Sequence, residues 1–152
     1  MPNHHQGTAA EVHALDAYVK LVRAADTVEH RLSLHIGTFG LSWSQFGVLE
    51  ALFHLGPQCH KDLATRLLRS RGNLTLVIHN LEERGLVTRR RDSRDGRQMN
   101  VSLTDVGREL ISRAFPLHAA QIDQAMAGLS AQEQEELGRL CRKLGLAAMS
   151  RP

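Results

Sequence analysis

Aromatic side chains are scarce in this 152-residue chain: four Phe, one Tyr and one Trp, or 4% of the total. So thin a supply argues against a single-stranded nucleic-acid binder, which stacks bases on aromatic rings. Cysteine is scarcer still. Cys59 and Cys141 are too few and too widely separated for a disulfide framework or a zinc ribbon. No apolar run approaches the roughly eighteen residues a membrane helix needs, and the polar opening MPNHHQGTAAEV does not resemble a signal peptide. A soluble cytoplasmic chain with no membrane partner is therefore expected. Phosphate loops, nucleophile elbows and HExxH sequences are also missing, so no enzyme and no cofactor are expected. Nine histidines invite a metal, but His30/His35 and His54/His60 lack the i,i+4 spacing of a helical ligand pair, and no metal is expected.

What the chain has is charge in one place. The formal net charge is +3. Between His60 and Arg97, ten Lys/Arg face five Asp/Glu, a balance of +5, which leaves nine against eleven, or −2, elsewhere. A concentrated basic segment in a mildly acidic chain is the footprint of a protein that meets nucleic acid.

The apolar pattern resolves into one domain over residues 1–152, mostly helical. Residues 1–8 read as a loose tail. Val12, Leu15, Val19, Val22 and Leu32 then recur at helical spacing until Gly37 and Gly40. Ser42 with Gln45 forms a capping box for a helix carrying Phe46, Leu49, Leu52 and Phe53, which ends at Gly56-Pro57. HKDLATRLL predicts a short helix. SRGNLTLVIHNLEER predicts another, with Ser70 as N-cap and Gly85 as its stop. Leu86-Val87 leads into one strand and Met99, Val101 and Leu103 alternate in a second, with a turn near Ser93 to Gly96. Thr104 opens a long helix with Val106, Leu110, Ile111 and Phe115 on its apolar stripe and Pro116 expected to kink or divide it. Ser130 and Glu133 cap a last helix through Leu137, Leu140 and Leu144. This order is a winged helix-turn-helix, a three-helix core plus a β-hairpin wing, with extra helices at both ends.

A helical wheel of residues 70–84 puts Leu74, Val77, Ile78 and Leu81 inward. Gly72, Leu76, His79 and Glu83 face outward, flanked by Asn73, Thr75 and Asn80. Amide, hydroxyl and imidazole groups of this kind hydrogen-bond base edges in a major groove. Leu76 has two readings, contact with a thymine methyl or packing on the neighbouring short helix. Arg71, in the first turn, suits a phosphate. The stretch RRRDSRDGR supplies Arg89, Arg91, Arg94 and Arg97 to an arm that displaces counterions along duplex DNA. Arg94 at the turn suits a narrow minor groove. Asp92 and Asp95 are expected to brace neighbouring guanidinium groups.

The ordered pieces LEERGLV (Leu81 to Val87), DSRDGR (Asp92 to Arg97) and LTDVG (Leu103 to Gly107) resemble the core of the MarR (multiple antibiotic resistance regulator) family. The likeness extends more loosely to GLSWSQFGVLEAL and KDLATRL. It implies a DNA-binding core over about 41–107, with dimerisation helices over 9–36 and 104–147 that intertwine in a homodimer. It further implies a double-stranded, pseudo-palindromic operator and a repressor released by a small aromatic or phenolic effector. By position, Ser70, Arg71, Asn73 and Thr75 fall on the family's reader helix, and Asp92, Arg94 and Arg97 on its wing. The chain departs from the family at Leu76, where many members carry arginine, and at His79-Asn80, where many carry Asp-Arg. An effector is expected between the dimerising helices and the reader, with Tyr18, Phe46 and His54 as candidate lining. Two alternatives keep the same fold: a metal-responsive regulator, or a thiol-redox regulator acting through Cys59, which precedes a helix whose dipole favours the reactive thiolate.

Overall fold

A computed structural model describes residues 6–67 and 73–150. Among them are six helices and three strands: α1 (Ala9–Gly37), α2 (Trp43–Leu55), β1 (Gln58–Cys59), α3 (His60–Arg66), α4 (Leu74–Glu83), β2 (Val87–Arg91), β3 (Met99–Leu103), α5 (Asp105–Met126) and α6 (Ala131–Met149).

Helix starts follow local chemistry. Reciprocal capping boxes open α1 (Thr8/Glu11), α2 (Ser42/Gln45) and α6 (Ser130/Glu133), satisfying amides that have no partner in the first turn. Helix α4 ends in a Schellman motif: Leu86 N–H donates to Leu81 O (2.9 Å) and Gly85 N–H to Glu82 O (2.9 Å). Gly85 takes φ +68° there, a conformation that side chains with a Cβ resist. Leu86, just past the turn, is buried.

The sheet has three antiparallel strands in the order β1-β3-β2. Gln58 and Cys59 pair with Val101 and Asn100, so the expected two-stranded hairpin gains a short third strand. Two residues carry no alternation, and the sequence offers no other sign of them. The hairpin itself runs in register from Val87↔Leu103 to Arg91↔Met99.

Thr104 joins the sheet to α5. Its hydroxyl donates to Gly85 O (2.6 Å) and accepts from Gly107 N–H (3.0 Å), while its own amide donates to Leu86 O (3.1 Å). Gly107 lies so close to Leu86 that a Cβ there would sit 1.9 Å from the carbonyl oxygen. This contact sets the roll of α5. Its buried line is Gly107, Ile111, Ala114 and His118, whereas Val106, expected on the apolar stripe, is 61% exposed. Pro116 lies within a continuous helix and does not divide it.

The core fills the space between α2, α3, α4, the sheet and the first half of α5, with Leu49, Leu52, Leu63, Leu81 and Ile111 fully enclosed. The terminal helices differ. No residue of α6 is buried, and Leu137, Leu140, Leu144 and Leu146 stand exposed, as do Leu15, Tyr18 and Val19 on α1 and Leu117 and Ile122 on α5. No described helix is long and apolar enough to cross a membrane.

Candidate nucleic-acid interface

Helix α4 turns Leu74, Val77, Ile78 and Leu81 into the core, as the wheel predicts. Asn73, Thr75, Leu76 and His79 lie on its exposed side, and Asn80 is half-buried. Leu76 is 49% exposed, which favours an open apolar group over one packed beneath α3. The helix begins at Leu74, later than the sequence suggests, and Asn73 before it makes no side-chain capping bond. Ser70, Arg71 and Gly72 lie outside the described residues, and with them the expected Ser70 cap. Thr75 Oγ1 lies 3.1 Å from Nε2 of His60, the first residue of α3. His79 Nε2 lies 3.5 Å from Glu83 Oε1, one turn along.

The wing is organised by its carboxylates, which bond main-chain amides where the sequence suggests guanidinium groups. Asp92 Oδ1 accepts from the backbone amides of Arg94 (2.7 Å) and Asp95 (3.3 Å), and Oδ2 accepts from Asn100 Nδ2 (2.9 Å). Asp95 Oδ1 accepts from the Arg97 amide (3.1 Å). The backbone closes the loop through Asp92 N–H to Gln98 O and Gln98 N–H to Asp95 O, both 2.9 Å. Asp92 and Asp95 therefore brace the loop's main chain rather than guanidinium planes. The physical reason is reach: an Asx side chain is short enough to bond amides two residues on. These donors, the Arg94 amide foremost, hold the Asp92 carboxyl below its ordinary range.

Arg84 and Arg89 tie elements of the fold together, and Arg91 Nη1 donates across the wing loop to Gly96 O (3.4 Å). Arg84 donates to Gly40 O (2.9 Å), tying the end of α4 to the loop between α1 and α2. Arg89 donates through Nε to Glu82 Oε2 (2.7 Å) and through its amide to Glu82 Oε1 (3.2 Å), with Nη2 completing an ion pair. The Arg89 hydrogen bond, with its charge, holds the Glu82 carboxyl below its ordinary range. Arg90, Arg91, Arg94 and Arg97 are exposed. Between the start of α3, the reader helix and the wing lies an open cleft of about 600 Å³. Its lining includes the polar side chains of His60, Lys61, Thr75, Arg89 and Arg97 together with Ile78, Met99 and Val101.

The three candidate effector residues are not brought together. Phe46 is buried on the inner face of α2, His54 is exposed two turns further along, and Tyr18 is 63% exposed on α1. At about 1.5 Å per residue, Tyr18 lies roughly 25 Å along α1 from His35. Phe46 instead meets residues the sequence reading passed over. Its ring is 4.6 Å from that of His118, which also lies 6.1 Å from Trp43. His118 is 4% exposed, and burial, with His35 beside it, lowers its pKa below the usual imidazole value. His118 Nδ1 and His35 Nε2 are both buried without a hydrogen-bond partner among the described residues. The available signal was position: His118 continues the inward line of Ile111 and Ala114.

Cys59 and Cys141 are free thiols, the first half-buried beside the cleft. Among the described residues no three His, Cys, Asp or Glu side chains converge as metal ligands would.

Comparison with known proteins places this geometry. Residues 41–99 match the family model described as the MarR family. The chain is 36% identical over 133 residues to the uncharacterised HTH-type transcriptional regulator YkoM of Bacillus subtilis, covering 88% of this chain and 86% of that one. It is 32% identical to the HTH-type transcriptional regulator MhqR of the same organism, over 89% and 93% of the two chains. Among solved structures it resembles Sco3205, a MarR family transcriptional regulator from Streptomyces coelicolor in complex with DNA (TM-score 0.79, 25% identity, 95% and 91% covered). It also resembles Bordetella bronchiseptica BpsR, described with the regulation of its DNA binding by 6-hydroxynicotinic acid (TM-score 0.75, 27% identity, 95% and 98% covered).

Proposed function

Because this chain belongs to the MarR family of helix-turn-helix transcriptional regulators, we propose that it works as a homodimeric repressor. Its operator is a pseudo-palindrome in duplex DNA, and a small aromatic ligand releases it. The observation that carries the reading is convergence: Thr75 of the reader helix and Arg97 of the wing edge the same cleft, so one duplex can meet both. Thr75, Leu76 and His79 face base edges, with Asn73 and the half-buried Asn80 beside them. Arg91, Arg94 and Arg97 neutralise phosphates, and Arg94 at the loop suits the minor groove. Arg89 serves as the strut between reader and wing, since Glu82 already holds its guanidinium.

The leucines left uncovered on α6, together with the exposed apolar residues of α1 and α5, support dimerisation, because much exposed apolar surface marks an interface. Two readers so held engage half-sites about 10–10.5 base pairs apart. The effector seats at the junction of α1, α2 and α5. There Trp43 and Phe46 lie against the buried His118 ring, and the unpartnered His35 Nε2 and His118 Nδ1 are nitrogens that a phenol or carboxylate could bond. BpsR, whose DNA binding 6-hydroxynicotinic acid regulates, supports the ligand class.

The test is selection of bound duplexes from a random pool, together with sedimentation of the free protein. A dimer enriching a two-fold site, released by phenols or aromatic acids, is the expected result. A monomer that enriches nothing overturns the reading.

A further inference from the structure

The contact between His60 and Thr75 crosses from one helix of the helix-turn-helix to the other. His60 opens α3, Thr75 stands in the first turn of α4, and Nε2 lies 3.1 Å from Oγ1. Both residues border the cleft between reader and wing, and Thr75 is exposed. A threonine hydroxyl has one proton and two lone pairs. Whatever His60 takes from it decides what remains for a base.

We propose that His60 is a specificity-positioning residue: it fixes the Thr75 hydroxyl so that its proton points outward and reads a hydrogen-bond acceptor on a base edge. This rests on α4 being the reader. The ring donates to Oγ1 in the imidazolium and in the neutral form protonated at Nε2, the forms this proposal assigns; protonated at Nδ1 alone it would instead accept the hydroxyl's proton. In the assigned forms the hydroxyl accepts from within the protein, and its own proton is free to donate into the groove. Acceptors in the major groove are purine N7, guanine O6 and thymine O4, whereas adenine N6 and cytosine N4 are donors. A hydroxyl without this tether rotates and serves either kind of edge, whereas the tethered one, with one lone pair taken and its proton outward, favours acceptor edges. Lys61 and Arg97 in the same lining contribute charge without sequence information.

The experiment compares sequences selected from random duplex DNA by the wild-type protein and by Thr75→Val, His60→Ala, His60→Gln and the double variant His60→Ala/Thr75→Val. Circular dichroism confirms that each is folded. The wild type is expected to prefer an acceptor-bearing base edge at one position of each half-site. Thr75→Val and His60→Ala both lose that preference, by about three- to tenfold, the worth of one net hydrogen bond. The double variant loses no more than Thr75→Val alone, because the two act as one unit. His60→Gln, whose amide N–H can also donate, recovers the preference. The slope of affinity against salt stays unchanged throughout, since no phosphate contact is removed.

If Thr75→Val relaxes a position that His60→Ala leaves intact, the tether is wrong and the reader stands. If His60→Ala weakens all sequences alike and flattens the salt slope, His60 is a phosphate contact and the proposal falls. If Thr75→Val changes no preference at all, the assignment of α4 as the reader falls with it.

Discussion

Arg89 in the wing strand and Glu82 in the reader helix are joined at two points, through the arginine's backbone amide (3.2 Å) and its Nε (2.7 Å). One carboxylate thus fixes both the course of β2 and the orientation of the side chain leaving it. Because both side chains are about one-third exposed, the ion pair itself adds little to global stability, under about 1 kcal/mol. Its importance lies in the angle it sets between α4 and the hairpin, the two elements proposed to meet DNA.

Glu82→Ala and Arg89→Ala are accordingly expected to weaken operator binding to similar extents, and the double variant no further than either. Fluorescence anisotropy on a selected operator measures this. If Arg89 acted as a phosphate contact instead, Arg89→Ala would reduce the salt slope by about one, and Glu82→Ala would tighten binding by releasing a cation.

Asp92→Ala removes a negative charge from a surface proposed to meet phosphate, so simple charge counting predicts tighter binding. The geometry predicts the reverse: the loop loses the acceptor for the Arg94 and Asp95 amides and for Asn100, and binding to every sequence weakens. Arg94→Ala should also weaken binding uniformly, but with a salt slope shallower by about one. A gain in affinity for Asp92→Ala would rule out the bracing role.

Acidification should destabilise the fold through His118. Its folded pKa lies below the ordinary 6.5, the unfolded chain takes up the proton first, and stability declines as pH falls from about 6.5 toward the lower folded value. Thermal melting between pH 7.5 and 5 should show a fall that His118→Phe diminishes. Equal pH dependence in both proteins would assign the effect elsewhere.

Gly107→Ala places a methyl group 1.9 Å from Leu86 O, against main chain that cannot swing aside. A loss of about 3 kcal/mol in urea denaturation is expected, at the upper end for an overpacked contact. A substitution tolerated within 0.5 kcal/mol, about the scatter of a neutral surface change, would mean that the joint between sheet and α5 has slack.

Leu140→Lys, on the uncovered face of α6, should leave the monomer's fold unchanged, because no residue of that helix is buried in it. Sedimentation should show the dimer lost and operator affinity falling with it.

What the sequence made legible was chemistry confined to a few neighbouring residues. Ser42/Gln45 and Ser130/Glu133 announced two helix starts because a capping box is complete within four residues. Gly85 marked the end of α4 for the same reason, and the reader's inner edge followed from a single helical period. Features that depend on distant parts were hidden. The pairing of Gln58-Cys59 with β3 needs a partner some forty residues away, and two residues have no periodicity of their own. The roll of α5 follows from Gly107 meeting Leu86, so an apolar stripe drawn through Val106 missed the small residues that lie inward. Within the site, counting arginines found the basic arm but not that Glu82 and Gly40 O engage two of them. His118 is a polar residue in apolar company, and only tertiary packing sets it against Phe46 and near His35.

Thr104 bonds Gly85 and Leu86 on one side and Gly107 on the other, so no pliable segment separates the base of the hairpin from the axis of α5. The hairpin is therefore a lever with its fulcrum at a single threonine. Five residues of strand at about 3.4 Å each give an arm of about 17 Å, and a tilt of about 10° carries its tip some 3 Å, half of a minor groove about 6 Å wide. Under the proposed function, a small rotation of α5 would therefore displace the arginine-bearing tip by about half the width of the groove it is proposed to enter.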